Sequence, residues 1–443
     1  MNALSNRNSI GSASNSDGTS DNTVPSQYKI LTLTFNQDST SLAMGTLKTY
    51  ALYTISQDNK FDEIHDCAYD DVRIIERLFS SSLIALVSNQ APRKLKVCHF
   101  NKGTEICAYS FPNSILTVKL NRSRLVVCLE ESIYIHNMRD MKVLHTIRDV
   151  PTNSDGLCAL SSNDSNPYLA YPGSSITGEI QIFDTVNLKP GIMISAHESS
   201  LGAIAFDATG SIIATASNKG TVIRIHNVLD GSRLFEFRRG VRRVATIYSL
   251  AFSPDSMFLA ASSNTGTIHI FRLMNQKEKP VEETSSWMGS FSRMLGDVAY
   301  YLPKQTSEVL TQDRAFATVH LQSAGTKTII AMNILNKTLK LFVAGYDGVV
   351  CVYEINTHDG GECKKINQYL LFKMTQNSNE RHNSIADNST RIYSSNLLRK
   401  DSTASSLTND KPLNDQTYDT AMGEPSYPQL PSLPLPPSHD DNE

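Results

Sequence analysis

The sequence predicts an all-β fold built from about seven similar units, and three observations support this. Similar segments recur at a fixed spacing: Phe206 and Phe252 are 46 residues apart, and so are Gly220 and Gly266. The segments are rich in β-branched residues, with turns of Asp, Asn and Gly. None of them shows helical periodicity. A repeat of forty-odd residues with these features is typical of propeller blades, so we predict a seven-bladed β-propeller that is WD40-like.

The seven copies can be followed along the chain. Strong copies include Leu33, Ile204, Leu250 and Leu341, and weaker copies occupy about 70–112, 114–150 and 155–196. The Gly-His and Trp-Asp dipeptides of WD repeats are absent. Small residues, as in Ala214–Ser217, are predicted to line the tapering centre, and the strand after each Gly-Thr is predicted to pack outside them.

Composition divides the chain into a body and two tails. Residues 1–26 and 376–443 are polar and poor in apolar residues, so we predict disordered N- and C-terminal tails around a propeller over 27–375. The second tail ends in a Pro-rich stretch, 425–437, which favours polyproline II conformation. That stretch is either a solubilising tail or a docking motif.

Charge and cysteine content limit the class of protein. The net charge of −3 combines about −1 and −5 in the tails with about +3 in the body, which suits an anionic partner surface but is weak for nucleic acid. The seven scattered cysteines favour reduced thiols in the cytosol. Neither a signal peptide nor a membrane-spanning run is recognised. We find no nucleophile elbow, phosphate loop or metal-ligand cluster, and therefore predict no enzyme, no metal and no cofactor.

Two adjacent arginines are the most informative local feature. Phe237-Arg238-Arg239-Gly240 ends an apolar, strand-like run. Neighbouring side chains on a strand point to opposite faces, and a guanidinium group suits phosphate oxygens bidentately. The segment therefore predicts two neighbouring phosphate sites.

This arginine pair, between the fifth and sixth of seven repeats, resembles the PROPPIN family of phosphoinositide-binding propellers, and in particular its WIPI-type branch. Five further segments carry the resemblance: Glu76–Ser82, Ala91–Phe100, Cys128–Ser132, Tyr134–Asn137 and Asp140–Thr146. It covers roughly 28–357. It implies a cytoplasmic effector that binds phosphatidylinositol 3-phosphate and 3,5-bisphosphate, lies peripherally on preautophagosomal, phagophore and endosomal membranes, and recruits autophagy machinery to forming autophagosomes.

The resemblance implies one phosphate site in each of two blades. Arg238 would serve the first with His197, Ser217, Lys219, Thr221 and Arg224, and Arg239 the second with Ser262, Thr265, Thr267 and His269. Arg224 and His269 are equivalent if the fifth repeat has one extra residue, which we expect to form a β-bulge. Histidines of ordinary pKa would make binding stronger at mildly acid pH.

Each of these residues also has a structural alternative. Ser217, Ser262, Ser263 and Thr265 can bond to local backbone. His197 can belong to a structural hydrogen-bond network, and Arg224 can pair with Asp230 or Glu236. Arg238 and Arg239 can be plain surface charge.

An insertion enlarges the sixth repeat, because Gly266 and Gly348 are 82 residues apart instead of 46. Within 274–312, one helical face would collect apolar side chains: Trp287, Phe291, Met294, Leu295, Val298 and Leu302, with Met288 beside them. Such a segment suits the membrane interface, as the family's insertion in this blade does. The alternative is a helix packed on the propeller.

A basic group in the second and third repeats predicts a partner site. Arg122, Arg139 and Lys142 match the WIPI-type pattern that receives an acidic coiled-coil segment of the scaffold for ubiquitin-like protein lipidation. The alternative is solvated basic surface. For the whole chain, the competing function is a generic WD-repeat protein-interaction scaffold without specific lipid binding.

Overall fold

The computed structural model describes residues 29–240, 244–273, 315–322 and 325–372, and within them the chain forms a β-propeller of seven sheets. Seven blades confirm the predicted fold class. All described residues lie within the predicted body. Among them, no helix is long and apolar enough to cross a membrane, and all seven cysteines of the chain are free thiols.

Blades one to three each contain four antiparallel strands in chain order. Blade one contains β1 (Ile30–Phe35), β2 (Ser41–Thr46), β3 (Thr49–Ile55) and β4 (Phe61–Ala68). Blade two contains β5 (Val72–Arg77), β6 (Leu83–Ser88), β7 (Lys94–His99), a short 3-10 helix (Phe100–Lys102) and β8 (Thr104–Ser110). Blade three contains β9 (Thr117–Leu120), β10 (Arg124–Cys128), β11 (Ile133–Asn137) and β12 (Val143–Ile147).

Blades four to seven continue this order, with one addition. Blade four contains β13 (Ala159–Leu160), β14 (Tyr168–Pro172), β15 (Gly178–Asp184) and β16 (Lys189–His197). Blade five contains β17 (Leu201–Phe206), β18 (Ile212–Ser217), β19 (Val222–Asn227) and β20 (Arg233–Arg238). Blade six contains β21 (Ile247–Phe252), β22 (Phe258–Ser263), β23 (Thr267–Arg272) and β24 (Ala317–His320). Blade seven contains β25 (Thr328–Leu335), β26 (Thr338–Gly345), β27 (Val349–Glu354) and β29 (Lys364–Leu370), while β28 (Gly361–Glu362) pairs parallel to β24.

The first strand of each blade lies nearest the axis, because these strands contact one another around the whole ring, from β1–β5 to β25–β1. The prediction that Ala214–Ser217 lines the centre is therefore wrong. That segment lies in β18, the second strand, which is buried almost throughout. Second strands are covered by the neighbouring blades, and small side chains let the faces pack closely.

Blades one and seven close the ring by side-chain packing, since each is built from its own stretch of chain. The Phe61 ring packs edge-on against Phe342 of blade seven, with centroids 5.8 Å apart. The Tyr53 hydroxyl donates to the Leu371 carbonyl oxygen at 2.8 Å. This seam positions blade one beside blade seven without an exchanged strand.

Candidate functional site

The arginine pair lies at the seam between blades five and six. Phe237 is only 2% exposed, and its ring stacks on Phe271 of blade six with centroids 4.7 Å apart. Arg238 is the last residue of β20 and pairs with Val222 of β19. The Arg239 backbone N–H donates to the Thr221 carbonyl oxygen at 3.0 Å. Burial of Phe237 therefore fixes the backbone position from which the Arg238 and Arg239 side chains extend.

Arg239 reaches into blade six. Its Nη1 donates to Ser263 Oγ at 2.5 Å and to Thr265 Oγ1 at 2.7 Å. The two hydroxyls lie 3.0 Å apart, at the end of β22 and in the turn that follows. The two hydroxyl oxygens occupy positions on the guanidinium group that phosphate oxygens could also occupy. Each hydroxyl can in addition donate a hydrogen bond to a phosphate.

Two histidines border the same cluster. His269, on β23, has its pKa lowered to about 4 by burial and then by the charges of Arg239 and His320. His320, on β24, lies with its Nδ1 3.4 Å from Thr267 Oγ1. Four of the residues predicted for the second site, Arg239, Thr265, Thr267 and His269, are thus brought to one side of blade six.

Arg238 lies on the blade-five side of the pair. Its Nε is buried and has no hydrogen-bond partner within the part of the chain that the structure describes. Lys219 and Thr221 lie in the adjoining turn between β18 and β19, where Lys219 is exposed. The Ala245 N–H donates to the Lys219 carbonyl oxygen at 3.0 Å and holds this turn against the chain after the arginine pair.

His197 and Arg224 have structural partners, as the alternatives in the sequence analysis allowed. His197 Nε2 lies 3.0 Å from Thr215 Oγ1. Arg224 Nε donates to Glu236 Oε2 at 2.7 Å, and Arg224 Nη1 donates to the Ala196 carbonyl oxygen at 2.6 Å. His197 is the last residue of β16 and therefore belongs to blade four, not to the fifth repeat as predicted. Its contact with Thr215 and the bond from Arg224 to Ala196 join blade four to blade five.

The equivalence of Arg224 and His269 is confirmed, but not through a bulge. Arg224 pairs with Thr215 and His269 with Ala261, two residues that are one repeat apart. Pairing of β18 with β19 runs without interruption, so the predicted β-bulge is wrong. The extra residue lies in the turn before Val222, where it leaves the ladder of hydrogen bonds intact.

Ser262 and Ser263 have different environments. Ser262 is completely buried, and its Oγ donates to the Thr328 carbonyl oxygen at 3.3 Å. Ser263 is not among the residues predicted for the site, but its Oγ accepts a hydrogen bond from Arg239. The repeat spacing could have identified it, because Ser217 and Ser263 are 46 residues apart. No pattern in the sequence points to His320, which follows the insertion.

The pKa values of the histidines differ from the sequence expectation. Burial, followed by the charge of Arg224, lowers the pKa of His197 to about 4. Since the pKa of His269 is also about 4, both rings are neutral from pH 5.5 to 7.5 in the free protein. The expectation of ordinary pKa values, on which stronger binding at mildly acid pH was based, is therefore wrong.

These shifts predict an acid-sensitive propeller. The pKa of His226 is also lowered to about 4, by burial and by Arg224 and Arg233, whereas unfolded histidines titrate near ~6.5. Between pH 6.5 and 4 the unfolded chain binds more protons than the folded chain, so the free energy of unfolding falls as pH falls. Allowing for partial exposure, we expect a loss of about 2 kcal/mol between pH 7.5 and 5.

Denaturant titrations at several pH values measure this loss. His226→Gln cannot titrate and should make the dependence shallower, because it removes one of four buried histidines with a lowered pKa: His136, His197, His226 and His269. Equal stability at pH 7.5 and 5 would contradict the shifted values.

The basic residues of the predicted partner site lie in blade three. The Arg122 guanidinium carbon lies 3.9 Å from the Phe79 ring centroid of blade two. Arg122 and Arg139 line a cleft of about 400 Å³ together with Ser123, Arg124 and Asn137. Lys142 is exposed in the same turn as Arg139, between β11 and β12, and its Nζ lies 4.0 Å from an Asp140 carboxylate oxygen.

The predicted membrane-insertion residues lie outside the described residues: Trp287, Met288, Phe291, Met294, Leu295 and Val298. The described chain reaches Leu273 after β23 and resumes at Ala315 before β24. The insertion therefore connects the third and fourth strands of blade six.

Seven blades with two adjacent arginines between blades five and six define a distinct class of β-propeller. The PROPPIN family model matches residues 29–372. The chain belongs to the PROPPIN family.

Curated relatives agree with this assignment. The chain is 52% identical over 406 residues to WD repeat domain phosphoinositide-interacting protein 2 of Gallus gallus, covering 91% of this chain and 88% of that protein. It is 48% identical over 373 residues to protein 1 of the same name in Homo sapiens, covering 84% of each. It is 40% identical over 352 residues to Autophagy-related protein 18 of Caenorhabditis elegans, covering 76% and 84%.

Solved structures share the fold. The complex of KlAtg21 with the coiled-coil of AgAtg16 matches with a TM-score of 0.62 at 26% identity, covering 78% of this chain and all of that one. Kluyveromyces lactis Hsv2 matches with a TM-score of 0.61 at 20% identity, covering 77% and 99%, and is similar in fold alone.

Proposed function

We propose that this protein is a peripheral membrane effector that binds phosphatidylinositol 3-phosphate and 3,5-bisphosphate and recruits autophagy machinery to forming autophagosomes. The observation that carries the proposal is the arginine pair at the seam of blades five and six, with polar side chains on both sides. Curated relatives are named as phosphoinositide-interacting proteins and as an autophagy-related protein, which supports it. The proposed location is cytoplasmic, on preautophagosomal, phagophore and endosomal membranes.

In the proposed second site, a head-group phosphate takes the place that hydroxyls occupy on Arg239. Thr265 and Ser263 then turn their hydroxyls to donate to the phosphate, and Thr267 and His269 complete the set. Ser262 lies behind the surface, so its role is to support the strand. Guanidinium–phosphate bonds are charge-assisted and roughly twice as strong as neutral hydrogen bonds.

In the proposed first site, Arg238 binds phosphate with Lys219 and Thr221. Exposed Lys219 in the adjoining turn supports this, because it adds a second positive charge for a phosphate beside the guanidinium group. His197 and Arg224 support the site through bonds that join blades four and five, and Ser217 begins its turn. Two head groups would thus bind side by side, with blades five and six toward the membrane.

The insertion is the proposed third anchor, with Trp287 and Phe291 at the depth of the lipid head groups. Three anchors that are individually weak give strong binding together, because each later contact forms at high effective concentration.

Vesicle flotation at near-physiological salt tests the proposed lipid preference. We expect the protein to float with vesicles containing phosphatidylinositol 3-phosphate or 3,5-bisphosphate, and to stay at the bottom with phosphatidylinositol. Phosphatidylserine at equal total charge is the control for bulk electrostatics, and it should not support flotation. Equal flotation with phosphatidylserine would favour the generic scaffold.

The cleft of blade three is the proposed site for an acidic coiled-coil segment of the lipidation scaffold. Arg122, Arg139 and Lys142 give it positive charge, and charge complementarity mainly raises the association rate and specificity. A related propeller, KlAtg21, has been solved in complex with the coiled-coil of AgAtg16.

Arg122→Glu is expected to reduce capture of that coiled coil by at least ~tenfold, because attraction is replaced by repulsion at an exposed position. Flotation with phosphatidylinositol 3-phosphate vesicles should be unchanged, since Arg122 lies in blade three. Loss of both activities would show that the two sites are not separate.

A further inference from the structure

Four blades share one turn geometry between their third and fourth strands, which we call the outer turn. Each outer turn begins with an Asn or Asp whose Oδ1 accepts the N–H two residues later: Asn137 from Arg139 at 3.1 Å, Asp184 from Val186 at 2.9 Å, Asn227 from Leu229 at 2.8 Å and Asn356 from His358 at 3.0 Å. The fifth residue has a positive φ in all four: Met141, Leu188, Gly231 and Gly360. The third residue is therefore the tip at an equivalent place in each blade.

The tips differ in chemistry between blades. Blade three presents Arg139 and blade seven His358, but blades four and five present Val186 and Leu229. Val186 is 52% exposed and Leu229 is 67% exposed. The residue before each apolar tip is buried, so the turn exposes one apolar side chain selectively.

The two apolar tips lie at the end of the propeller where the proposed membrane-binding insertion is attached. The described residues that flank the insertion, Leu273 after β23 and Ala315 before β24, lie at the end of the propeller that carries the outer turns. Val186, Leu229 and the insertion therefore lie in three successive blades. A basic residue follows each apolar tip on the next strand. In blade four it is exposed Lys189, and in blade five it is exposed Arg233, whose Nη1 also donates to Glu236 Oε2 at 2.8 Å.

In both turns the acidic side chain accepts a hydrogen bond from a residue of the same turn, which makes the turn rigid. Asp184 Oδ2 accepts from Asn187 Nδ2 at 2.7 Å, while Asp230 Oδ1 accepts the Ser232 N–H at 2.8 Å. A preformed turn loses little conformational entropy when its tip is buried.

We propose that Val186 and Leu229 enter the interfacial layer of the bilayer as a second apolar contact, with Leu229 at the opposite end of β20 from Arg238. This inference rests on the proposed function, because it needs blades five and six to face the membrane. A lipid surface is the occupant that fits, since isolated apolar tips flanked by cations suit the head-group boundary. The Arg and His tips of blades three and seven mark the limits of the contact.

Substitution of both tips tests whether they contribute to the affinity of the protein for membranes. Val186→Ser with Leu229→Ser is expected to weaken partition onto phosphatidylinositol 3-phosphate vesicles roughly three- to tenfold. Binding of the soluble head group, inositol 1,3-bisphosphate, should be unchanged. Ile64→Ser is the matched control, an exposed apolar residue on β4 of blade one, and it should leave partition unchanged. Partition equal to wild type in the double variant would overturn the proposal.

A tryptophan probe tests the position directly. The chain has one tryptophan, so Trp287→Phe with Leu229→Trp leaves a single reporter at the blade-five tip. Its emission should shift to the blue with these vesicles and be quenched by brominated acyl chains. Asp58→Trp in the same background, on the outer turn of blade one, should show neither change.

The outcomes separate this proposal from the proposed function. If the variant with Trp287→Phe and Leu229→Trp floats with the vesicles but its emission does not change, the tips do not enter the membrane and the inference is wrong. If wild type itself does not float, the proposed function fails first, and the apolar contact fails with it.

Discussion

Arg238→Thr with Arg239→Thr is expected to abolish binding to phosphatidylinositol 3-phosphate vesicles, with affinity reduced by at least ~100-fold. Each guanidinium group would lose charge-assisted bonds to a phosphate, and such bonds contribute about 1.5–3 kcal/mol each. Thr265 and Ser263 would lose the donor that orders them. Both sites are lost in the double variant because each substitution removes the arginine of one site.

The matched control removes the same charge elsewhere. Arg93→Thr with Lys94→Thr changes two adjacent exposed basic residues in blade two. We expect at most a ~threefold loss from this variant, because exposed charges act on a membrane mainly through screened attraction. Equal losses in the two double variants would show that bulk charge, not a built site, drives binding. Phe237 stays in place in both, so the fold of the seam should persist and can be checked by thermal unfolding.

Gly220→Ala is expected to destabilise the propeller by about 3 kcal/mol or more. The residue has a φ of +58°, and an added Cβ would overlap the Ala245 carbonyl oxygen. A left-handed conformation costs a non-glycine residue about 1–2 kcal/mol, and overpacking costs about 1–3 kcal/mol more. Denaturant titration measures the loss. The backbone must shift between Lys219 and Ala245, so head-group binding in the first site should weaken as well.

Gly103→Ala separates the cost of the left-handed backbone conformation from the cost of overpacking. Gly103 has a φ of +62° but nothing lies near its added Cβ. It follows the short 3-10 helix of blade two, far along the chain from the arginine pair. We expect a loss of about 1 kcal/mol, since only the conformational cost applies. Equal losses at the two glycines would contradict the steric account.

The architecture was predictable because the repeat is carried by strand and turn chemistry. The spacing of Phe206 and Phe252 corresponds to equivalent places in β17 and β21, the first strands of blades five and six. The sequence did not predict in the same way which strand of a blade lies nearest the propeller axis. Small residues suit both a narrow axis and a tightly covered second strand, and only the packing of neighbouring blades distinguishes these places.

The candidate site was predictable where local sequence determines it. Alternation along β20 places Phe237 inside and leaves the arginines at the seam. The partner of Arg224 could be narrowed to two acids, and Glu236 is observed because it lies directly opposite on β20. Ser263 was within reach of the repeat spacing, which also relates Gly220 to Gly266.

Other features depend on long-range arrangement. His320 reaches the second cluster only because β24 pairs with β23 after an insertion, and no local pattern specifies that pairing. The low pKa of His197 follows from burial and from the charge of Arg224, and both require the folded blade. The equivalence of Val186 and Leu229 appears only when the capped turns of several blades are compared.

The most direct test of two adjacent phosphate sites is the stoichiometry of head-group binding by titration calorimetry. Inositol 1,3-bisphosphate is expected to bind wild type at two sites per chain. Arg238→Thr and Arg239→Thr, made singly, should each leave one site. A single site in wild type, or a stoichiometry that neither substitution changes, would contradict the assignment of one phosphate site to each arginine.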